Sequence, residues 1–279
     1  MNDLHRAAHP AVEDAPVVLV RDGAPGSSVA RVVVEEPLEI RVAGETVATT
    51  MRTPGNDHEL VLGFLLAEGL IASANDVGRV FHCGKPGDEG YGNVMDVTAA
   101  PGTTLDVEQL GATRRGTLTT SACGVCGRRS IDDLLASCTP LERGAPFPAR
   151  AVAELAALLS GGQHVFAETG GSHAAGLVTA DGRLLFVRED VGRHNAVDKA
   201  VGRLLLDGLD GARLALIVSG RSSFEIVQKA ARARIPVVAS VSAPSSLAIG
   251  TARRSGVTLV GFARGAAFNV YTGVERLEF

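Results

Sequence analysis

Two cysteines, Cys123 and Cys126, lie two residues apart in the stretch SACGVCGRRS, and a glycine follows each of them. Two thiols at this spacing can chelate one metal ion, form a reversible disulfide, or carry sulfur as a persulfide. In persulfide chemistry a thiolate takes the outer sulfur of a donor persulfide and passes it on. Cationic neighbours favour the thiolate form, and four arginines lie close in sequence: Arg114, Arg115, Arg128 and Arg129.

A structural zinc ion is the alternative explanation of the same pair, and it requires two further ligands. His82 and Cys83 are adjacent, which suits one tetrahedral ion poorly, and Cys138 falls on the apolar stripe of a predicted helix. We therefore expect no permanently bound metal, while a zinc-binding nucleotide-binding or regulatory module stays open as the alternative function. A thioredoxin-like redox pair normally lies between a strand and a helix, whereas this pair lies in a glycine-rich loop.

The whole chain has the composition of an α/β protein. Of its 279 residues 46% are hydrophobic, glycine is abundant and tryptophan is absent, which favours close helix–sheet packing over an aromatic-rich β-sandwich. A net charge of −4 and a pI near 6.0 give no general basic surface for nucleic acid. Because no apolar run reaches the length of a membrane span and the start lacks an apolar signal core, we expect a cytoplasmic protein that binds no membrane.

The hydrophobic pattern divides the chain into four parts. Apolar and polar residues alternate over 17–50, which predicts strands with a turn at 42–44, and a helix is predicted between a cap at Asn56 or Asp57 and Gly69. The fold expected is a mixed α/β sheet with flanking helices and a smaller N-terminal α/β region. The parts are a disordered tail at 1–16, an N-terminal α/β subdomain at 17–112, a flexible C-x-x-C loop at 113–130, and a C-terminal α/β cofactor-binding domain at 131–279.

Strands and helices alternate in the last third of the sequence. A hairpin is predicted over 172–190 with its turn at Asp181–Gly182, and a helix follows from Arg193. Three apolar strands then alternate with helices, which is the pattern of parallel strands covered on both faces. Right-handed crossovers place the loops after these three strands at one edge of the sheet.

These three loops have residues suited to a phosphate. SGRSS at 219–223 and SAPSS at 242–246 open helices, and FARGAAFN at 262–269 follows the third strand. Small residues let backbone N–H groups approach a phosphate, and Arg221 and Arg264 can add charged hydrogen bonds. We therefore expect a phosphorylated or nucleotide ligand at this edge. Neither a G-x-G-x-x-G motif nor a Walker motif occurs, so the sequence does not indicate NAD or ATP.

Polar residues are dense in EDVGRHNAVDKAVG, at 189–202, where a helix begins. His194 shares one helix face with Asp198, and Asn195 shares another with Lys199. These side chains either line the same pocket as the sheet edge or form an exposed face with local pairs. His194 taken alone favours the exposed face, and it is kept as a candidate ligand-binding residue.

As a set, these segments resemble the FdhD family of formate dehydrogenase accessory proteins. The likeness spans nearly all of residues 50–279, and the segments are specific together rather than singly. They are RTPGNDHELVLGFLLAEGLI, TTSACGVCGRRSIDDL, FAETGGSHAAGL, REDVGRHNAVDKAVG, IVSGRSSFEIVQKAARARIPVVASVSAPSSLAI and GFARGAAFNVYTGVERL.

The resemblance implies a sulfur carrier, a sulfurtransferase-type protein with a cysteine persulfide intermediate. A cysteine desulfurase would load sulfur onto Cys123, with Cys126 as the accessory thiol. The sulfur would pass to the molybdenum or tungsten of a bis(molybdopterin guanine dinucleotide) cofactor before that cofactor enters formate dehydrogenase. The resemblance also implies a homodimer.

The resemblance further implies a cytidine-deaminase-like α/β fold and a cofactor-binding segment. The deaminase zinc signature H-x-E is missing, since Asn195 and Ala196 follow His194, so deaminase chemistry is not expected. The resemblance assigns cofactor binding to Phe262, Ala263, Arg264, Gly265, Ala266 and Ala267, to which the residues themselves add Ser219, Arg221 and His194.

Overall fold

The computed structural model describes residues 11–85, 87–88, 91–108, 140–142, 144–265 and 267–279. The predicted C-x-x-C loop at 113–130, with Cys123 and Cys126, lies outside these ranges. Cys138 with its predicted helix, and Ala266, also lie outside them. The described chain combines helices with mixed sheets, which confirms the predicted α/β class.

The chain begins with an antiparallel hairpin that the sequence analysis partly missed. Strand β1 (Val12–Arg21) pairs with β2 (Ala24–Val33) along its whole length, and an Asp-Gly turn with positive φ angles joins the two. The disordered tail predicted for the first 16 residues is therefore wrong for residues 12–16. Apolar and polar residues alternate only from residue 17 onwards, so residues 12–16 give no strand signal of their own. Pairing with β2 makes them part of the strand.

Four further strands form a second sheet. They are β3 (Glu36–Val42), β4 (Glu45–Arg52), β5 (Val77–His82) and β6 (Val94–Ala99). The order is β4-β3-β6-β5, in which β3 and β6 run parallel and the other neighbours run antiparallel. The turn between β3 and β4 is at Ala43 and Gly44, which both have positive φ, and this confirms the predicted turn.

Helix α1 (Asp57–Glu68) follows β4, as the sequence predicts. Asn56 occupies the N-cap position, but its side chain makes no capping hydrogen bond. Gly69 ends the helix in the left-handed region at φ 79°, and its N–H donates to the carbonyls of Leu65 and Leu66. Glycine adopts this conformation without a Cβ clash, which is why the helix stops there.

The remaining strands are β7 (Phe147–Pro148), β8 (His173–Thr179), β9 (Leu184–Asp190), β10 (Leu214–Val218), β11 (Val237–Ser240), β12 (Thr258–Arg264), β13 (Ala267–Thr272) and β14 (Leu277–Glu278). Six of them form a sheet in the order β13-β12-β11-β10-β8-β9, and β7 pairs in parallel with β14. Strands β10, β11 and β12 are parallel, as predicted, and the β8–β9 hairpin turns at Asp181–Gly182.

Five further described helices flank this sheet. They are α2 (Ala149–Gly161), α3 (His164–Thr169), α4 (Arg193–Leu206), α5 (Phe224–Arg232) and α6 (Ser246–Ser255). Apolar residues of α4, α5 and α6 enter one core cluster, and those of α2 enter a second cluster on the other face of the sheet. No helix in the described part of the chain has the length and apolar character that a membrane crossing requires.

The predicted N-terminal subdomain and the C-terminal region share one hydrophobic core. Leu38 of β3 and Leu60 of α1 belong to the same buried cluster as Val197 of α4 and Leu216 of β10. The predicted division at 113–130 lies outside the described residues and stays a prediction, but the described elements on its two sides pack as one unit.

Helices α1 and α4 touch through their backbones at two glycines. A Cβ on Gly63 would overlap the backbone of Asp198, and a Cβ on Gly202 would overlap the carbonyl of Glu59. Any larger residue at either position would therefore push the helices apart. This contact fixes α1, and the segment that precedes it, against α4, the helix that contains His194.

Candidate functional site

The loops after β10, β11 and β12 meet at one edge of the six-stranded sheet, as predicted. Val241 N donates to Val218 O at 3.2 Å, and Ser245 N donates to Ser222 O at 3.0 Å. Backbone hydrogen bonds therefore hold the first two loops in contact. The carboxyl edge, as we name it, comprises residues 219–223, 241–245 and 262–267.

Serine hydroxyls fix the shape of this edge from beneath. Ser240 Oγ donates to Gly220 O at 2.8 Å and accepts from Ser242 N at 3.0 Å, which joins two loops through one buried side chain. Ser219 Oγ accepts from Ala174 N at 2.9 Å and so joins the first loop to β8. Ser219 thus has a structural role, and its ligand-binding role stays a prediction, because a hydroxyl that accepts one hydrogen bond still has its O–H to donate.

Two exposed arginines supply positive charge at the carboxyl edge. Arg221 lies in the first loop and is exposed. Arg264 is exposed at the end of β12, and its Nε donates to Val241 O at 3.3 Å. The guanidinium of Arg264 has further N–H groups with which it can bind an anion at this edge. The structure places both predicted cations at the predicted edge of the sheet.

The segment 262–267 is the tip of the β12–β13 hairpin rather than a loop that follows a strand. Phe262 has a positive φ of 54° and a side chain 44% exposed, and its N–H donates to Ser242 O. Ala263 is fully buried, main chain included, and its assignment to cofactor binding stays a prediction. Gly265 has φ 56° at the turn, and Ala266 lies outside the described residues.

His194 faces the carboxyl edge from the start of α4. Only 7% of its surface is exposed, so the exposed helix face expected for it is wrong. Its Nε2 lies 3.0 Å from Ser223 Oγ and 3.2 Å from Glu225 Oε2, and Ser223 Oγ donates to the same carboxylate at 2.8 Å. Both partners meet one ring nitrogen, whereas a serine–histidine–acid relay uses the two ring nitrogens separately.

Burial and charge set the protonation of this cluster. Burial opposes ionisation of Glu225, but the hydrogen bond and charge of His194 and the hydrogen bond from Ser223 outweigh it and lower the pKa of Glu225 to about 2. His173, the first residue of β8, lies against the same loop, since a Cβ on Gly220 would be 3.4 Å from its Nδ1. Burial, followed by the charge of Arg193, lowers the pKa of His173.

The start of α5 has a serine hydroxyl without a partner. Ser222 is fully buried, and its Oγ makes no hydrogen bond with any described residue. Ser223 occupies the N-cap position of α5 but makes no side-chain capping bond, because its hydroxyl bonds Glu225 instead. A buried polar atom of this kind costs free energy unless a water or ligand atom meets it.

A buried network beneath the site connects α4 to the end of β4. Lys199 Nζ lies 2.7 Å from Asp190 Oδ2 and donates to Thr53 O at 2.8 Å. The other oxygen of Asp190 accepts from Gly192 N at 2.8 Å and from Asn195 Nδ2 at 3.1 Å. The polar face of α4 that could have been solvent-exposed is therefore internal.

Asp198, on the other polar face of α4, is also internal. It forms a buried ion pair with Lys229 of α5 at 2.6 Å. Asp190 and Asp198 thus each have a buried ammonium partner, as burial of charge requires.

Sequence reasoning missed three residues that the fold brings to this site. Ser223 and Glu225 were assigned only to a loop and a helix start, and His173 only to the hairpin predicted over 172–190. Their signal was weak, because serine, glutamate and histidine near helix and strand ends are ordinary residues. Only the packing of α4 against the loop after β10 shows that they meet His194.

Metal ligands do not cluster in the part of the chain that the structure describes. No group of three or more His, Cys, Asp or Glu side chains there could hold a metal ion. Cys83 is described and half-buried as a free thiol, whereas Cys123 and Cys126 fall outside the described ranges. The zinc alternative therefore stays a prediction about the C-x-x-C pair.

Comparison with known proteins agrees with the resemblance seen in the sequence. Residues 33–278 match the FdhD/NarQ family. A protein from Anaeromyxobacter dehalogenans strain 2CP-C, named sulfur carrier protein FdhD, is 56% identical over 281 residues, which is 98% of this chain and 97% of that protein. A protein of the same name from Streptomyces avermitilis is 48% identical over 95% of both chains.

A solved structure has the same fold. It is a crystal structure of a formate dehydrogenase accessory protein from Desulfotalea psychrophila, which superposes with a TM-score of 0.76 at 26% identity. The superposition covers 96% of this chain and 100% of the other. Since the family match and the relatives extend over nearly the whole sequence, this chain belongs to the FdhD/NarQ family.

Proposed function

We propose that this chain is a sulfur carrier for the maturation of formate dehydrogenase. It accepts persulfide sulfur from a cysteine desulfurase and delivers it to a bis(molybdopterin guanine dinucleotide) cofactor, its substrate, before the cofactor is inserted. The observation that carries the proposal is the near full-length match to proteins named sulfur carrier protein FdhD. The C-x-x-C pair supplies the thiol chemistry that such a carrier needs.

Sulfur moves through two thiol exchange steps, each of which conserves atoms and electrons. The Cys123 thiolate attacks the outer sulfur of the desulfurase persulfide, a new S–S bond forms, and the donor cysteine leaves as a thiolate. The Cys126 thiolate then attacks the inner sulfur at Cys123, and the outer sulfur leaves as hydrosulfide for the metal of the cofactor. The two thiols supply the two electrons, and a cellular thiol reduces the resulting disulfide before the next cycle.

The carboxyl edge supports a place for the phosphates of the cofactor. Arg221 and Arg264 provide exposed guanidinium groups, which suit phosphate oxygens, and the hairpin tip at 262–267 offers backbone beside them. His194 and Ser223 add polar groups at the start of α5. A preformed, hydrogen-bonded edge would hold the acceptor so that sulfur delivery becomes a near-intramolecular step.

The homodimer and the cytidine-deaminase-like topology remain part of the proposal. The structural likeness to the Desulfotalea psychrophila protein supports the family fold. The alternative, a zinc-binding module without covalent sulfur chemistry, predicts one zinc ion per chain and a large loss of stability on chelation. Metal analysis of the purified protein separates it from the sulfur carrier.

Intact mass measurement tests the sulfur carrier directly. After incubation with a cysteine desulfurase and cysteine, the chain should gain the mass of one sulfur atom, and the gain should disappear on reduction with a thiol. The Cys123→Ala variant should show no gain, whereas Cys83→Ala, which removes a half-buried thiol elsewhere, should be labelled like the unaltered chain. Labelling that persists in Cys123→Ala, or full maturation of formate dehydrogenase by that variant, would refute the proposal.

A further inference from the structure

A cavity of about 490 Å³ lies at the opposite edge of the six-stranded sheet from the carboxyl edge. Helix α5 starts at the carboxyl end of β10 and ends before β11, so its last residues lie at the amino ends of the parallel strands. Those residues and the segment after α1 line the cavity, among them Arg232, Arg234, Leu70 and Ile71. Its volume is within the range of small-molecule sites, ~300–1,000 Å³.

Arg232 lines this cavity, and one of its N–H donors has no acceptor among the described residues. Its Nε is buried and makes no hydrogen bond with any described residue. The guanidinium lies beside Gly69, where a Cβ would be 3.2 Å from Nη2. It is not needed to cap α1, because the carbonyls of Leu65 and Leu66 already accept from Leu70 N and Gly69 N. Arg232 as a whole is half-buried, and its Nη groups beside Gly69, a lining residue of the cavity, are the donors that an oxyanion would meet.

Further donors line the same cavity. Arg234 is exposed and has a positive φ of 59°, and among the described residues neither it nor Arg232 forms an ion pair. Thr103 and Thr104 also line the cavity. Asp76 is the carboxylate in the wall, and its Oδ2 already accepts from the backbone N–H groups of two residues at 2.7 and 2.9 Å. Two guanidiniums against one engaged carboxylate leave the cavity positively charged.

The floor of the cavity is apolar. Leu66, Leu70 and Ile71 are buried around it, and Ala231 and Leu141 complete the apolar lining. A bare inorganic anion would leave this surface uncovered, whereas a ligand with an apolar body would bury it. Three terminal oxygens of a phosphate match two guanidiniums and two hydroxyls better than the two oxygens of a carboxylate.

We propose that this cavity, which we name the Arg232 cavity, binds a small phosphate monoester with an apolar body. The site is separate from the carboxyl edge, where the guanine dinucleotide is proposed to bind, and shares no residue with it. The inference therefore goes beyond sulfur delivery and does not depend on it.

Calorimetric titration of the full chain with phenyl phosphate tests the proposal. We expect saturable binding at the Arg232 cavity with a Kd below about 1 mM. Inorganic phosphate should bind more weakly because it leaves the apolar floor empty, and phenol should not bind because it has no oxyanion. Arg232→Met should weaken phenyl phosphate binding by at least about tenfold, the effect of one lost charge-assisted hydrogen bond. Arg234→Asn, an exposed change that tolerates the left-handed backbone, should weaken it in the same direction.

Matched variants locate the probe on the molecule. Arg253→Gln, an exposed arginine of α6, and Arg221→Gln at the carboxyl edge should bind phenyl phosphate as the unaltered chain does. Cys123→Ala should also bind it normally, so a failed sulfur transfer and a failed cavity are distinguishable. The proposal is overturned if no saturable binding occurs, if Arg221→Gln rather than the cavity variants abolishes binding, or if Arg234→Asn, with circular dichroism confirming its fold, binds without loss.

Discussion

Glu225 shows how a single side chain at the carboxyl edge depends on its neighbours. Its carboxylate accepts from Ser223 and lies 3.2 Å from His194, and these partners outweigh burial to lower its pKa to about 2 from 4.5. The stability it contributes is fully present above the unfolded value and is lost as the pH falls from 4.5 towards 2. The lowered pKa of His173 acts in the same direction, since burial disfavours its charged form.

Glu225→Gln should therefore flatten the acid limb of the stability curve. The variant should lose stability at neutral pH, and it should lose less than the unaltered chain between pH 4.5 and about 2. Urea unfolding at a series of pH values measures both effects. Glu154→Gln, at an exposed position of α2, is the control and should keep the original pH dependence. An unchanged acid limb in Glu225→Gln would mean that the carboxylate is not held by His194 and Ser223.

At the scale of single residues, the sequence predicted the two arginines of the carboxyl edge but not the buried cluster around His194. Arg221 and Arg264 were predictable, because charge beside small residues at a strand end is visible in the sequence. The burial of His194 was not, since it depends on Ser223 and Glu225, which lie about thirty residues away in the chain. The burial of Ala263 was not predictable for a similar reason, since its strand enters a core that only the folded sheet defines.

Among the elements, α1 and α4 make the closest contact described. Gly202→Ala should destabilise the protein by at least about 3 kcal/mol, because the added methyl meets the backbone of Glu59 rather than a movable side chain. Gly250→Ala in α6 is the matched control, since nothing lies within 4 Å of its Cβ position. That change should stabilise by about 0.5–1 kcal/mol through helix propensity alone. Thermal and urea unfolding of both variants measure the contrast, and equal effects would contradict the contact.

Elements marked by a turn glycine or an apolar run in their own sequence were predictable. Elements that depend on pairing with another strand were not. Gly69 marked the end of α1, and Asp181–Gly182 marked the β8–β9 turn, since each position needs a particular backbone conformation. The parallel order of β10, β11 and β12 followed from their apolar runs. The predictions for the start of β1 and for the segment 262–267 were wrong, because pairing with a neighbouring strand determines both.

At the scale of the whole molecule, the buried pair of Lys199 and Asp190 links the second half of the sequence to Thr53 in the first half. Both side chains are at most 1% exposed, and Lys199 also donates to Thr53 O. Asp190→Asn should cost about 3–5 kcal/mol, because it leaves a buried ammonium without its carboxylate. Hydrogen exchange should show the same loss of protection in β3 and in β10, since both contribute to one core.

Two outcomes would contradict this coupling between the halves of the chain. Loss of protection confined to either β3 or β10 would show that they unfold separately. Asp207→Asn, which breaks the solvent-exposed pair with Arg203, is the control and should leave protection nearly unchanged in both strands.

The division of the chain illustrates what a sequence pattern can and cannot establish at this scale. The hydrophobic pattern suggested separate parts on the two sides of residues 113–130, and the mixed α/β class predicted with them is confirmed. Composition contains no information on which apolar faces meet, so the shared core of α1 and α4 was not foreseen.

The glycine contact between α1 and α4 also limits how the molecule can move. Each obstacle is main chain, so neither helix can slide along the other or rotate about its axis without collision. Any rearrangement that accompanies sulfur transfer therefore leaves this contact intact, and α1 and α4 move together as one rigid pair.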